Sequence, residues 1–184
     1  MHPELIEIGG ITLYAYGFFI MIGALTSYMY GIKVFKKELD IEPDKVQTLT
    51  ILIISAAVIG GKIFFYFEDP AYYFSSPGNL LKNFRQGFVF YGSLIFAVPT
   101  VIWYFRKEKW PIFPMLDILS IIATIIHGFG RLGCFFAGCC HGLPTDSFLG
   151  VTFTDAKSQA KPLDIPLHPT QLYEVFFIGS LMLF

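Results

Sequence analysis

The sequence predicts an all-α fold, a polytopic membrane helix bundle that forms a single transmembrane domain over residues 1–184. Of these residues, 54% are hydrophobic and only 15% are charged, whereas an ordinary soluble domain has about 25% charged residues. Uncharged runs of about 20 residues, the length that crosses a bilayer as a helix, recur along the chain. A soluble domain is therefore excluded. The formal net charge of −1 offers no basic face, so no nucleic-acid partner is expected.

At least four complete spans are expected, followed by part of a fifth. The uncharged or nearly uncharged runs cover 8–32, 46–67, 86–105 and 110–126. Lys62 interrupts the second run and Asp117 the fourth. A fifth apolar run begins near Gln171 and continues to Phe184, so we expect a fifth helix that is cut at the C-terminus. The first run follows a start without positive charge, which predicts a retained helix rather than a signal peptide.

The basic residues predict the orientation. Seven of the 13 Lys and Arg residues fall in two short loops, after the first and third spans: Lys33, Lys36, Lys37, Lys45, Arg106, Lys107 and Lys109. Because Lys and Arg are enriched in cytoplasmic loops, these loops are expected in the cytoplasm. The N-terminus and the stretch 128–169 then lie outside. The aromatic segment 70–85, with Lys82 and Arg85, is expected in the headgroup layer.

The residues that can carry chemistry concentrate at 127–142. This segment contains all three cysteines, two of the four histidines, five glycines and Arg131. An arginine at the edge of a membrane bundle by default indicates a functional site. Its planar guanidinium matches a phosphate diester, the group that carries phospholipid headgroups. The alternative is that Arg131 only extends its charge to the interface.

A second polar segment, 168–174, reads HPTQLYE and opens the fifth span. Pro169 or Thr170 suits the first turn of a helix, which places Tyr173 and Glu174 about one turn inside the membrane. A carboxylate at that depth needs a cation, and Arg131 on the fourth span is the expected partner. Such a pair is compatible both with a structural role, joining two helices, and with a functional one.

These residues resemble the prolipoprotein diacylglyceryl transferase family. The segments 130–133 and 168–174 match its two most distinctive stretches, and HPTQLYE is the more specific of the two. Weaker matches follow the family order and spacing along essentially the whole chain, at 13–17, 60–62, 87–94 and Asp117.

The resemblance implies a multi-pass transferase of the bacterial plasma membrane with its active face outward. Such an enzyme moves a diacylglyceryl group from phosphatidylglycerol to the lipobox cysteine in the signal peptide of a prolipoprotein. The expected partners are these two substrates and membrane lipid, and no cofactor or metal is expected. The expected catalytic residues are Arg131, Tyr16, Tyr173 and His168. The expected lipid- and phosphate-binding residues are Arg131, Gly133, Gly142 and Tyr91.

Three positions depart from the family pattern. The family usually has His-Gly-Gly where this chain has 91–93, Tyr-Gly-Ser, and an asparagine and a glutamate where it has Cys134 and Cys139. The usual histidine base is therefore missing, and the candidates to replace it are His127, His141 and His168. Two other functions stay open. One is a membrane thiol or metal protein that works through the segment 134–141, and the other is a non-catalytic relative that binds phospholipid.

The cysteines Cys134, Cys139 and Cys140 leave three interpretations. On an oxidising outer face, a Cys134–Cys139 or Cys134–Cys140 disulfide would hold the segment together and leave one thiol. A zinc site could combine Cys134, and Cys139 or Cys140, with His141 and either His127 or His168. The third interpretation is a thiol that takes part in catalysis. We expect structural or supporting roles, because the transferred group goes to the substrate's cysteine.

Overall fold

The computed structural model of the chain describes residues 3–9, 11–76, 78–79 and 87–182. These form two compact units, one holding the described residues up to Lys33 and from Asp117 onward, the other holding Val34–Leu116. The helices are α1 (Ala15–Leu39), α2 (Pro43–Glu68), the short α3 (Pro70–Phe74), α4 (Phe90–Glu108), α5 (Ile112–Ala137) and α6 (Thr170–Leu181). The strands are short: β1 (Glu4–Ile8), β2 (Ile11–Tyr14), β3 (Val151–Thr152) and β4 (Pro166–Leu167).

Three of the described helices, α1, α2 and α5, are long and apolar enough to cross a membrane. Less than a quarter of each apolar window is buried within the protein, so the remaining apolar side chains need lipid around them. Helix α4 forms where the third span was predicted, but its last turn carries Arg106 and Lys107, and it is not among the three. The minimum of four spans and the orientation stay predictions.

Two antiparallel strand pairs make the all-α prediction incomplete. Strands β1 and β2 pair with Glu4 opposite Tyr14, and β3 and β4 pair with Val151 opposite Leu167. Gly9, directly after β1, has a φ of +57°. This left-handed backbone conformation is common in tight turns and is unfavourable for residues other than glycine. The count of uncharged residues assigned 8–14 to the first span, because a short apolar run does not distinguish a strand from a helix.

Helix α5 also continues beyond the predicted end of the fourth span at residue 126. The glycine-rich segment is helical as far as Ala137, although each interior glycine costs a helix roughly 0.5–1 kcal/mol relative to alanine. Of these glycines, Gly133 permits the closest packing, because a Cβ there would lie 3.1–3.2 Å from atoms of Tyr16 in α1. On the facing helix, a Cβ on Gly23 would lie 2.7 Å from Cβ of Phe129.

In the second unit, α2 and α4 pack against each other as an antiparallel pair. Neither Gly60 nor Gly92 has room for a Cβ, since each faces the other's carbonyl oxygen. The Ser93 hydroxyl donates to the Ala57 carbonyl over 2.9 Å. At the opposite end of the pair, Lys45 Nζ lies 2.5 Å from a Glu108 carboxylate oxygen.

The predicted headgroup segment is described in part. Helix α3 holds Tyr72, Tyr73 and Phe74, and the Tyr73 ring lies 5.3 Å from that of Tyr66 in α2. Lys82 and Arg85 lie outside the described residues, as does Phe184 in the predicted fifth span.

The connection between α5 and α6 carries a small core of its own. Phe153, Ala160 and Leu167 are buried there, and Phe135 on α5 packs against them. This core connects the end of α5 to the start of α6, which is where the predicted site residues lie.

Candidate functional site

Hydrogen bonds join the segment after α5 to the first turn of α6. The amide of Gly142 donates to the His168 carbonyl over 2.8 Å. The Thr170 hydroxyl donates to the Cys140 carbonyl over 2.8 Å, and Gln171 Nε2 donates to the Cys139 carbonyl over 2.6 Å. Gln171 is fully buried, so water does not compete for that bond. The two polar segments predicted from the sequence are therefore one structural site.

The predicted ion pair between α5 and α6 is present. Arg131 Nε lies 2.7 Å from a carboxylate oxygen of Glu174. The Nε–H group makes no aligned hydrogen bond with a described residue, so charge attraction rather than a directed bond dominates this contact. The Arg131 side chain is 25% exposed, which leaves part of the cation accessible to an anionic ligand.

His127 is a partner of Glu174 that the sequence analysis missed. Its Nε2 lies 3.3 Å from the same carboxylate oxygen that meets Arg131. The signal was available, because residues 127 and 131 are four apart on a helix and lie on one face. The resulting triad has one carboxylate between an imidazole and a guanidinium.

His168 and Tyr173, both predicted catalytic residues, are neighbours. His168 Nδ1 lies 3.0 Å from the Tyr173 hydroxyl, within hydrogen-bond reach, and the direction of donation depends on the tautomer. Pro169 precedes α6 directly and its carbonyl accepts from the amide of Tyr173 over 3.2 Å. The start of the helix thus fixes the tyrosine beside the imidazole.

His141, the third candidate base, is engaged at both ring nitrogens. Nε2 accepts from the backbone amide of Lys161 over 3.3 Å, so the proton resides on Nδ1 and is donated to the Gly142 carbonyl over 2.8 Å. A histidine held in this way has no free lone pair for a substrate proton. We therefore do not assign the base to His141.

Tyr16 lies at the start of α1 against Gly133 and is about half exposed. It borders a cavity of about 370 Å³. The cavity is lined by Pro3, Glu4, Tyr14, Tyr16, Gly17, Ala137, Cys139, Lys157 and Gln159. Glu4 and Lys157 form an ion pair of 2.5 Å, and this carboxylate raises the pKa of Lys157. Tyr16 and Cys139 therefore face one common space.

Gly142 and Tyr91, both predicted to bind lipid, do not line the cavity beside Tyr16. A Cβ on Gly142 would lie 2.9 Å from His168 Cβ and Thr170 Cγ2, so this glycine permits the close approach of two segments. Tyr91 lies in the first turn of α4, in the second unit, and is 73% exposed. Its role in binding lipid stays a prediction.

The three cysteines are free thiols, so neither predicted disulfide is formed. Their sulfur atoms nevertheless lie within 4.8 Å of one another. The chain reverses after α5, with φ values of +79° at Gly138 and +60° at Cys140, and this reversal returns Cys139 and Cys140 to Cys134. Burial raises the pKa of the Cys139 thiol to about 12. Without a ligand it is therefore protonated at neutral pH and weakly nucleophilic.

The mixed zinc site that the sequence left open as an alternative, with histidine among its ligands, is not assembled. Within the described part of the chain, the ligand atoms that cluster here are the three sulfurs alone. His141 is hydrogen-bonded to backbone, His127 meets Glu174, and His168 meets Tyr173. The sequence spacing could not distinguish a mixed site from an all-thiol cluster.

Comparison with known proteins identifies a consistent set of relatives. A family model described as prolipoprotein diacylglyceryl transferase matches residues 3–184. A phosphatidylglycerol–prolipoprotein diacylglyceryl transferase of Clostridium tetani is 36% identical over 177 residues, which are 96% of this chain and 70% of that protein. A second, from Clostridium perfringens, is 33% identical over 100% of this chain and 71% of its own length. A third, from Dehalococcoides mccartyi, is 28% identical over 99% of this chain and 69% of its own length.

Proposed function

The chain belongs to the prolipoprotein diacylglyceryl transferase family, and from this we propose that it transfers the diacylglyceryl group of phosphatidylglycerol to a prolipoprotein. It is a transferase of lipoprotein biosynthesis. We propose that the acceptor is the thiol of a lipobox cysteine. The enzyme would lie in the bacterial plasma membrane with its active face on the outer side.

The observation that supports this function most directly is the position of Arg131 on α5. Glu174 holds the guanidinium at the inner end of the polar segment, and the cation stays partly exposed. An apolar groove of about 270 Å³ runs between the same two helices, and its lining includes the chain neighbours of Arg131 and Glu174, Leu132 and Val175. The groove is lined by Gly128, Phe129 and Leu132 from α5 and Val175, Ile178 and Gly179 from α6, among others. A cation beside an apolar groove fits a phospholipid, which has a phosphate diester joined to acyl chains.

In the proposed reaction, the thiol sulfur of the acceptor attacks the glyceryl carbon that carries the phosphate. A carbon–sulfur bond forms as the carbon–oxygen bond breaks, and the electron pair stays on the phosphate oxygen of the departing glycerol phosphate. Arg131 binds the phosphate and stabilises the charge that develops on it. The product on the peptide is a thioether.

The acceptor thiol must lose its proton, because the thiolate is the nucleophile. We assign the base to His168, whose Nδ1 contacts the Tyr173 hydroxyl at 3.0 Å. The tyrosine orients the ring so that the other nitrogen can take the proton. His127 is the second candidate, because its Nε2 contacts the Glu174 carboxylate at 3.3 Å and a third group that orients the base is a common feature of such sites.

A transfer assay with defined lipids tests the function. The full chain is reconstituted in vesicles of phosphatidylglycerol and incubated with a lipobox peptide, and the peptide mass is measured. We expect a gain of one diacylglyceryl group. A peptide with serine in place of the cysteine, and vesicles of phosphatidylethanolamine alone, are the matched controls. An unmodified lipobox peptide would contradict the proposed function.

A further inference from the structure

We propose that Cys134, Cys139 and Cys140 form a three-thiolate site for Zn²⁺, with an open fourth position for the thiol of the acceptor peptide. The use of the fourth position rests on the proposed transferase function, whereas the site itself does not. The sequence alone predicted no metal among the site residues. The spatial arrangement of the three sulfurs is what changes this expectation.

The distances fit a metal site. The sulfur atoms lie within 4.8 Å of one another. Three thiolates at a Zn–S distance of about 2.3 Å are roughly 3.8–4.0 Å apart. Side-chain rotation that moves the sulfurs together by about 1 Å would therefore complete the site, without a change in the path of the backbone.

The backbone holds the three side chains in this arrangement. The amide of Cys139 donates to the carbonyl of Cys134 over 3.1 Å, which closes the turn after α5. Cys140 has a left-handed φ of +60°, a conformation that is costly for a residue other than glycine and persists where the surroundings impose it. The turn therefore directs two consecutive cysteines toward a third.

Residues of α6 support the turn from outside. Gln171 donates to the Cys139 carbonyl and Thr170 to the Cys140 carbonyl. Such hydrogen bonds next to metal ligands fix their orientation and increase metal affinity. Three thiolates with Zn²⁺ carry a net charge of −1, and Arg131 lies three residues before Cys134 on α5, so the two share a helix face. A cation is thus present to balance the charge of the loaded site.

The donor set leaves one position open. Among the described residues, no histidine or carboxylate joins the three sulfurs, whereas a structural zinc site has four protein ligands. Zinc sites with three protein ligands bind water or substrate in the fourth position. Cys139 borders the cavity of about 370 Å³ that Tyr16 also faces, so a ligand has access to the cluster from that side.

Zinc in this position would activate the acceptor thiol. Coordination to the metal lowers the pKa of a thiol strongly, so the peptide S–H loses its proton to His168, the base proposed for this reaction. The zinc-bound sulfur then forms the carbon–sulfur bond, and the thioether, a weaker ligand, leaves the metal. The glyceryl carbon–oxygen bond breaks with its electron pair on the phosphate oxygen, so no oxidant or reductant is required.

Metal binding is tested first, without reference to activity. The full chain is purified in detergent, stripped with a chelator under reducing conditions, and loaded with Zn²⁺ or with Cd²⁺ as an optical probe. We expect one metal per chain and an ultraviolet sulfur-to-cadmium charge-transfer band. Replacement of all three cysteines by serine should remove both signals, whereas His141→Ala should retain them. A folded wild-type protein that takes up no stoichiometric metal would overturn the proposal.

The transfer assay then tests the open position. Stripped protein should transfer lipid about 10²-fold more slowly than the zinc-loaded protein, the usual size of an effect on a proton-transfer step, and added Zn²⁺ should restore the rate. Equal rates with and without zinc would overturn the role of the metal and leave the transferase function intact. Stoichiometric zinc without transfer in either form would refute the function and leave the metal site intact.

Discussion

Glu174 is a shared partner, since one of its oxygens meets both His127 and Arg131. This arrangement separates the histidines by role: His168 is paired with a phenol, and His127 with a carboxylate that also balances a permanent cation. We therefore assign proton exchange with the substrate to His168, and to His127 a contact that positions Glu174.

The assignment of the base is tested by substitution of each histidine. His168→Asn should reduce the rate of transfer by about 10²–10⁴-fold, the range for loss of a general base. His127→Asn leaves the contact between Arg131 and Glu174 in place, so the rate should fall much less. The measurement is kcat for the lipobox peptide at saturating phosphatidylglycerol. The reverse order of the two effects would assign the base to His127.

Single residues also mark the limit of what the sequence could predict about the site. The pair of Arg131 and Glu174 was predictable, because a charge inside a membrane needs a partner of opposite sign. The clustering of Cys139 and Cys140 with Cys134 was not, since it depends on left-handed φ values at 138 and 140. Neither disulfide nor metal ligation can be deduced from such spacing alone.

Among the elements, the contact between α1 and α5 depends on glycine. Gly133 faces backbone and side-chain atoms of Tyr16, whereas Gly179 on α6 has no atom within 4 Å of the position of a Cβ. Alanine at either glycine raises helix propensity, but only at Gly133 does the new Cβ meet neighbouring atoms. Comparing the two variants therefore separates the effect of packing from that of helix propensity.

Gly133→Ala should destabilise the protein and displace Tyr16, because the new Cβ would lie 3.1–3.2 Å from its atoms and overpacking typically costs about 1–3 kcal/mol. Gly179→Ala should be neutral or stabilising by roughly 0.5–1 kcal/mol, the propensity gain of alanine in a helix. Thermal unfolding in detergent measures both. Equal effects of the two variants would show that α1 and α5 do not pack tightly at Gly133.

Helices were easier to predict than their ends and the strands. Uncharged runs located α1, α2, α4, α5 and α6 because charge exclusion is the dominant constraint on a membrane span. The same counts missed β1 and β2, whose apolar residues adjoin the first helix. They also ended the fourth span at residue 126, because His127 and Arg131 interrupt the uncharged run, whereas the helix continues to Ala137.

For the whole molecule, two ion pairs bear on the predicted topology. Glu4 in the N-terminal hairpin meets Lys157 in the connection between α5 and α6, so these two segments lie at the same end of their unit. Lys45 and Glu108 pair at the start of α2 and the end of α4, so the segments that precede α2 and follow α4 lie at one end of their unit. Both contacts agree with the pairing of loops that the basic residues predict.

Reporter tags test the orientation itself. Tags inserted after Lys37 and after Lys107 should be accessible from the cytoplasm, because seven of the 13 basic residues lie near the end of α1, the start of α2 and the end of α4. A tag near Lys157 should be accessible from outside. Membrane-impermeant labelling of intact cells distinguishes the two. An outside tag at Lys37 would reverse the orientation and place Arg131 toward the cytoplasmic side.

The central claim is that Arg131 binds the phosphate of the lipid substrate and stabilises its charge during transfer. Loss of a charge-assisted contact costs about 1.5–3 kcal/mol in binding, and one donor to a developing charge contributes about 10²–10³ in rate. Arg131→Lys keeps the positive charge but loses the planar guanidinium that binds a phosphate through two hydrogen bonds. This variant should therefore retain only part of the activity.

The most direct measurement is the rate of diacylglyceryl transfer by Arg131→Ala in phosphatidylglycerol vesicles, with membrane insertion and helix content measured in parallel. Lys161→Ala, which removes an exposed cation from the connection between α5 and α6, is the matched control and should retain the wild-type rate. We expect Arg131→Ala to insert and fold but to lose at least about 10²-fold in rate. A folded Arg131→Ala protein that transfers lipid at the wild-type rate would contradict the claim.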